Sequence, residues 1–182
     1  TDFMGPNTIL AHAGHLWVTY QTGGPSELRV FDMSGKPVKA PMQPAVGAVE
    51  ALTPHGPGEM LYFAESFIDT PAWYVANPVT GAATRTGLQS TSPVDFEGCE
   101  VVREFATSKD GTKVPMNIIK PKGAKLDGSN PTVLYGYGGY GVNVTPSFRA
   151  SRKILLEQGV IFVVANIRGG GEYGDQWHLQ GN

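Results

Sequence analysis

The chain of 182 residues is 41% apolar and 16% charged, with a net charge of −2 at pH 7. Its lysines and arginines are scattered rather than clustered, which removes the electrostatic footprint of a nucleic-acid partner. No apolar run reaches the roughly 18–20 residues that span a bilayer, and TDFMGPNTIL has no basic stretch leading into an apolar one. A soluble protein is predicted, cytoplasmic or periplasmic, with no membrane partner and no visible signal peptide.

Residues 1–91 read as short strands broken by turns, in keeping with 24 glycines and 14 prolines. LWVTYQT (16–22) leads through GGPSE into LRVFD (28–32), and LYFAES (61–66) leads across a similar gap into WYVAN (73–77). Leu16 aligns with Leu61, Trp17 with Tyr62, Leu28 with Trp73, Val30 with Val75 and Asp32 with Asn77, every pair 45 positions apart. A strand–turn–strand unit that recurs at roughly 40–50 residues marks propeller blades, and a closed propeller needs about four to eight of them. The first half therefore reads as propeller blades that are a piece of something larger. A small β-sandwich with coincidental spacing is the alternative.

From Ser92 the pattern changes. CEVVREFATS (99–108) and KVPMNIIKP (113–121) read as a hairpin turning at Asp110-Gly111. PTVLYGY (131–137) is a compact apolar strand expected to be buried on both faces. PSFRASRKILLEQ (146–158) predicts a helix capped by Thr145, with Pro146 in its first position and Gly159 just past its end. Phe148, Ser151 and Leu155 would share its inner face with Ile154 beside them, leaving Arg149, Arg152, Lys153 and Glu157 in water. VIFVVANI (160–167) is a second buried strand. Strand, helix, strand makes a βαβ unit behind a hairpin, too little sheet for an ordinary α/β domain, so both halves are expected to be incomplete.

The stretch Gly136-Tyr137-Gly138-Gly139-Tyr140-Gly141 fits G-x-G-x-x-G, the phosphate cradle of dinucleotide-binding folds. That site needs the third glycine in the opening turn of the helix and an acid ending the next strand. Here the helix begins no earlier than about Pro146, and the next strand ends at Asn166-Ile167-Arg168, so both requirements fail. An α/β-hydrolase reading suits the context: TVLYGY is the third strand after residue 98, and the loop after the third strand supplies part of the oxyanion hole. Glycines let backbone approach a tetrahedral intermediate, and Tyr137 and Tyr140 each offer a phenolic donor. The competing reading makes both tyrosines half-buried packing groups with hydroxyls in water.

LYGYGGYGVNVTPSF together with VVANIRGGGEYGDQWH resembles the paired signature of prolyl oligopeptidases, serine peptidases of the S9 type. SKDGTKVPM and KPKGAKLDGSNPTVLYGYGG extend the likeness almost continuously from Ser92 onward. The resemblance implies a seven-bladed propeller capping an α/β-hydrolase catalytic domain. The fold class is then the first strands and first helix of an α/β-hydrolase (92–182) preceded by propeller blades (1–91). It further implies that Tyr137 completes the oxyanion hole and that Tyr140 occupies an aromatic position, usually phenylalanine, lining the pocket for a substrate proline. A tyrosine there is similar instead to oligopeptidase B, which cleaves after basic residues, whereas NIRGGGEYG with the following WH matches the prolyl enzymes. Asn166, Arg168 and Glu172 read as scaffold around the strand end.

Such a peptidase needs a nucleophile elbow G-x-S-x-G followed by an acid and a histidine. No serine here sits in that frame; Ser147 and Ser151 belong to the helix and its opening. His178 comes too early in the chain order, and His12 and His15 precede the hydrolase region without a carboxylate or cysteine nearby to make a metal site. Cys99, the one cysteine, offers no disulfide framework. The expected protein is part of a serine oligopeptidase hydrolysing short peptides after proline through an acyl-enzyme, with no metal or cofactor. The remaining segments of the same enzyme would supply the triad, and this chain alone would be inactive. A peptidase cleaving after basic residues and a non-catalytic binding module derived from the family are the alternatives.

Overall fold

The computed structural model describes residues 9–181. In chain order the first strands are β1 (Ile9–His12), β2 (His15–Gln21) and β3 (Ser26–Asp32), which form an antiparallel meander. A second meander follows, made of β4 (Gly47–His55), β5 (Glu59–Ser66), β6 (Ala72–Ala76) and β7 (Ala83–Gln89). The alternation expected of half-buried strands is clear in β5, where Met60, Tyr62, Ala64 and Ser66 point inward. Trp17, Leu28 and Val30 of the first sheet share one core with Val49, Leu52, Met60, Tyr62 and Tyr74 of the second. Two successive meanders stacked face to face are consistent with neighbouring propeller blades.

The 45-residue repeat holds for β2 and β5, where Trp17 and Tyr62 are both fully buried. It slips by one residue in the next strand. Trp17 pairs with Val30, but Tyr62 pairs with Tyr74, so Val30 corresponds to Tyr74 rather than to Val75. Since side chains alternate faces, that slip puts Ala72, Tyr74 and Ala76 inside and leaves Trp73 and Val75 half-buried. Tyr74 then stacks on Tyr62 with ring centroids 5.2 Å apart.

Among the described residues the first sheet has no regular fourth strand. Past the turn after Asp32, Val38 N–H still reaches Val30 O at 2.9 Å, but Pro37, Pro41 and Pro44 cannot donate to a ladder. Gln43 substitutes with its side-chain amide, accepting from Leu28 N–H at 2.7 Å and donating to Leu28 O at 3.0 Å.

The third sheet contains β8 (Cys99–Thr107), β9 (Lys113–Pro121), β10 (Thr132–Gly136) and β11 (Ile161–Ala165) in the order β10-β11-β9-β8. β8 and β9 form the expected hairpin, and β10 and β11 run parallel. Helix α1 (Arg152–Glu157) makes the connection between them, and a second short helix, α2 (Asp175–Leu179), follows β11.

Two expectations in this half are corrected. β10 is exposed along its whole length, with Leu134 69% accessible, and stands at one edge of the sheet that the described residues form. The helix starts at Arg152, not Pro146. The N–H of Phe148, in the segment ahead of the helix, donates to Glu65 Oε2 at 2.7 Å and so ties that segment to β5. Leu156, not Phe148 with Leu155, becomes the buried residue of α1, and Ile154 faces water. Arg152 and Lys153 lie over aromatic rings instead of in solvent: Arg152 is 5.3 Å from the Phe67 ring and 5.2 Å from that of Phe162. The end matches expectation, with Gly159 at φ +75 and its N–H donating to Leu156 O at 3.0 Å.

The halves share a core in which Phe67 packs with Phe96, Ile119, Leu156 and Val164. Arg103 in β8 donates through Nη2 to the carbonyls of Thr22 and Gly23 in the β2–β3 turn.

Candidate active site

Strand β10 delivers the chain into the glycine loop, and β11 delivers it into a second glycine run, Gly169–Gly171. These two loops are built against each other. Gly141 N–H donates to Gly169 O at 3.0 Å, and a Cβ on Gly171 would sit 2.5 Å from Gly141 O. Side chains at Gly138 and Gly169 would run into the Arg168 and Gly138 carbonyl oxygens. Contacts to rigid backbone cannot be relieved by a side-chain rotation, so only glycine fits. The glycines thus act first on one another.

Tyr137 leaves the end of β10 with its ring over Gly139, where a Cβ would lie 2.7 Å from the Tyr137 hydroxyl. It remains 39% accessible. Tyr140 sits within the short 3₁₀ turn Gly139–Gly141 at φ +57, a left-handed conformation costly for an aromatic residue, and is 93% exposed. Both predicted site residues therefore stand on the open side of one loop. They lie at the carboxyl end of a parallel strand pair, the position where α/β sheets place their ligands. A cavity of about 520 Å³ adjoins the loop, bounded by Tyr135, Tyr137, Asn143, Phe162, Arg149 and Arg152.

The loop is anchored from behind by buried polar groups. Glu172 Oε1 accepts from Val144 N–H at 3.0 Å, and Asn166 Nδ2 donates to Val144 O at 2.8 Å and to Glu172 Oε1 at 3.1 Å. Asn117 in β9 donates to Asn166 Oδ1 at 3.0 Å. Asn166 and Asn117 are fully buried and Glu172 nearly so. Trp177 in α2 donates to Ile167 O at 3.1 Å, and His178 Nδ1 lies 2.6 Å from Gly169 O. Arg168 turns outward, pairing with Asp110 and donating to Ser108 Oγ at 3.2 Å. The Thr112 N–H and Arg168 together hold the Asp110 carboxyl at about 2.

Asn166, Arg168 and Glu172 were expected around the strand end, and each is there. Asn117 and the Gly23–Gly24 turn were not anticipated. An asparagine inside the apolar run KVPMNIIKP was the available signal for the former, since a buried amide needs partners. His12 and His15 face each other across the β1–β2 turn. Ser151 directly precedes α1 and makes no side-chain capping hydrogen bond, and the Ser147 carbonyl accepts from Arg152. Among the described residues no helix is long and apolar enough to cross a membrane.

Stacked antiparallel meanders thus lead into a mixed sheet whose two glycine runs clasp each other. The Prolyl oligopeptidase family profile matches residues 146–182. A prolyl endopeptidase of Elizabethkingia meningoseptica is 36% identical over 179 residues, covering 97% of this chain and 25% of that protein. Prolyl oligopeptidase A of Galerina marginata is 45% identical over 97 residues, covering 53% of this chain and 13% of its own length. Among solved structures, a prolyl endopeptidase superposes with a TM-score of 0.82 at 36% identity, over 96% of this chain and 25% of the other. Apo prolyl oligopeptidase B from Galerina marginata gives 0.80 at 26% identity, over 95% and 25%. The chain belongs to the prolyl oligopeptidase family. It spans about a quarter of the length of the prolyl endopeptidases it matches over most of its own length.

Proposed function

We propose that this chain joins the last blades of a β-propeller, residues 1–91, to the opening of an α/β-hydrolase domain, residues 92–182, in a serine oligopeptidase. The stacked meanders support the first assignment. The order β10-β11-β9-β8, with α1 returning between two parallel strands, supports the second. The reaction is hydrolysis of short peptides on the carboxyl side of proline. A serine from the remaining segments of the enzyme attacks the peptide carbonyl while its histidine takes the proton. Tyr137 donates its phenolic hydrogen to the oxygen that becomes negative, and Tyr140 packs on the side chain preceding the scissile bond. Collapse of the tetrahedral species expels the amine with a proton from the histidine, and water then cleaves the acyl-enzyme.

The observation that carries this reading is the accessible Tyr137 ring at the end of β10, standing over Gly139. In the full-length protein, Tyr137→Phe should lower kcat by about a hundredfold or more with little change in KM, because the bond strengthens in the transition state. An unchanged kcat removes Tyr137 from the mechanism. Tyr140, where the prolyl enzymes usually carry phenylalanine, favours a second reading, cleavage after basic residues. Labelling with a fluorophosphonate separates both from a non-catalytic binding module, which would take up none.

A further inference from the structure

Resting on the oxyanion role of Tyr137, we infer that Asn166 is a positioning residue that ties the glycine loop to the β2–β3 turn, so that seating of this turn sets where Tyr137 stands. Val144, which follows the loop, has its N–H held by Glu172 and its C=O held by Asn166, so two side chains fix the two successive peptide units that flank its Cα. Val142 N–H donates to Gly139 O at 3.1 Å, which passes that fixation to the glycine under the Tyr137 ring.

On its other side Asn166 meets the first half of the chain. Gly24, at φ +115, approaches so closely that a Cβ there would lie 2.6 Å from Asn166 Cγ. Asn166 cannot yield freely, because Asn117, Glu172 and Val144 hold its amide. The adjacent Gly23 lies against Tyr173, and Tyr173 packs edge-on to Trp177 at 5.0 Å. Arg103 clamps the turn through the Thr22 and Gly23 carbonyls. A turn built for contact with a fully buried amide, rather than with solvent, is a mechanical input to the loop.

The test uses the full-length protein and four single variants. Gly24→Ala drives a methyl group towards Asn166, whereas Gly35→Ala has a comparable positive φ of +85 and nothing within 4 Å of its Cβ. Arg103→Ala releases the turn without entering the core. Gly24→Ala and Arg103→Ala should each lower kcat by about tenfold to a hundredfold with KM within about twofold, while Gly35→Ala stays at the parent value. Combined with Tyr137→Phe, neither should lower kcat beyond the level of Tyr137→Phe alone, since all act through one donor. Equal behaviour of Gly24→Ala, Arg103→Ala and Gly35→Ala, or losses that multiply with that of Tyr137→Phe, would overturn the inference and leave the role of Tyr137 intact. A silent Tyr137→Phe would remove the role of Tyr137 and this inference with it.

Discussion

The backbone N–H of Phe148 donates to Glu65 Oε2 at 2.7 Å, so a carboxylate from β5 holds the segment that leads into α1. This bond ties the segment ahead of α1, which begins at Arg152, to the second meander. A partly buried N–H that loses a charged acceptor costs about 1–3 kcal/mol. Glu65→Ala should therefore lower the urea unfolding midpoint of the full-length protein, and Glu65→Gln, which keeps a carbonyl acceptor, should recover part of the loss. Identical midpoints for the parent protein and Glu65→Ala would mean that water serves the Phe148 amide equally well.

The glycine loop separates stability from activity at adjacent positions. A methyl group on Gly138 meets the Arg168 carbonyl, which is rigid backbone, whereas one on Gly139 meets the Tyr137 ring, which can swing away. Gly138→Ala should lower both thermal stability and kcat. Gly139→Ala should leave stability nearly unchanged and lower kcat towards the value for Tyr137→Phe, by displacing the hydroxyl. Melting curves and steady-state kinetics on both variants check this, and full activity in Gly139→Ala would argue against a catalytic hydroxyl at Tyr137.

Legibility followed the range of the interactions. Trp17 and Tyr62 announced a repeated inner strand because alternation and repeat are local properties of sequence. The one-residue slip that buries Tyr74 instead of Val75 depends on how the second hairpin pairs, which spacing alone does not encode. Thr145 and Pro146 make a sound local start for a helix, yet the helix begins at Arg152, after a segment that Phe148 N–H ties to Glu65, 83 residues earlier. PTVLYGY carries apolar residues on both faces, but whether a strand is central or at an edge is set by its neighbours. The positions of Tyr137 and Tyr140 on one loop were legible because the strand and its glycines are contiguous. The clasp between Gly138 and Gly169 was not, since two glycine runs say nothing about each other until the sheet brings them together.

Asp110 gives a dependence on pH whose sign is fixed. Its carboxyl is held at about 2 by the Thr112 N–H and by Arg168, below the ordinary value of 3.8. A depressed folded-state value means that the unfolded chain binds the proton first, so the stabilisation is present above pH 4 and is lost as pH falls towards 2. The difference in stability between the parent protein and Asp110→Asn should shrink over that interval and stay constant from pH 5 to 7. Chemical denaturation at half-unit steps measures it, and a difference independent of pH would show that Asp110 acts through the turn geometry rather than its charge.

Substitutions at Tyr140 test the two proposed substrate classes against each other. Its ring is almost wholly exposed and its backbone is left-handed, so packing within the described residues does not account for its position, whereas contact with a substrate side chain would. If it packs on proline, the ring matters and the hydroxyl does not. Tyr140→Phe should then keep kcat/KM for a prolyl amide substrate within about twofold, and Tyr140→Ala should lower it by about tenfold to a hundredfold through lost apolar contact. If the pocket takes a basic side chain, the parent full-length protein should cleave an arginyl amide in preference to the prolyl one, and Tyr140→Phe should weaken that cleavage by removing a polar partner of the cation. A kcat/KM for Tyr140→Ala unchanged from the parent protein on both substrates would place the residue outside the pocket altogether.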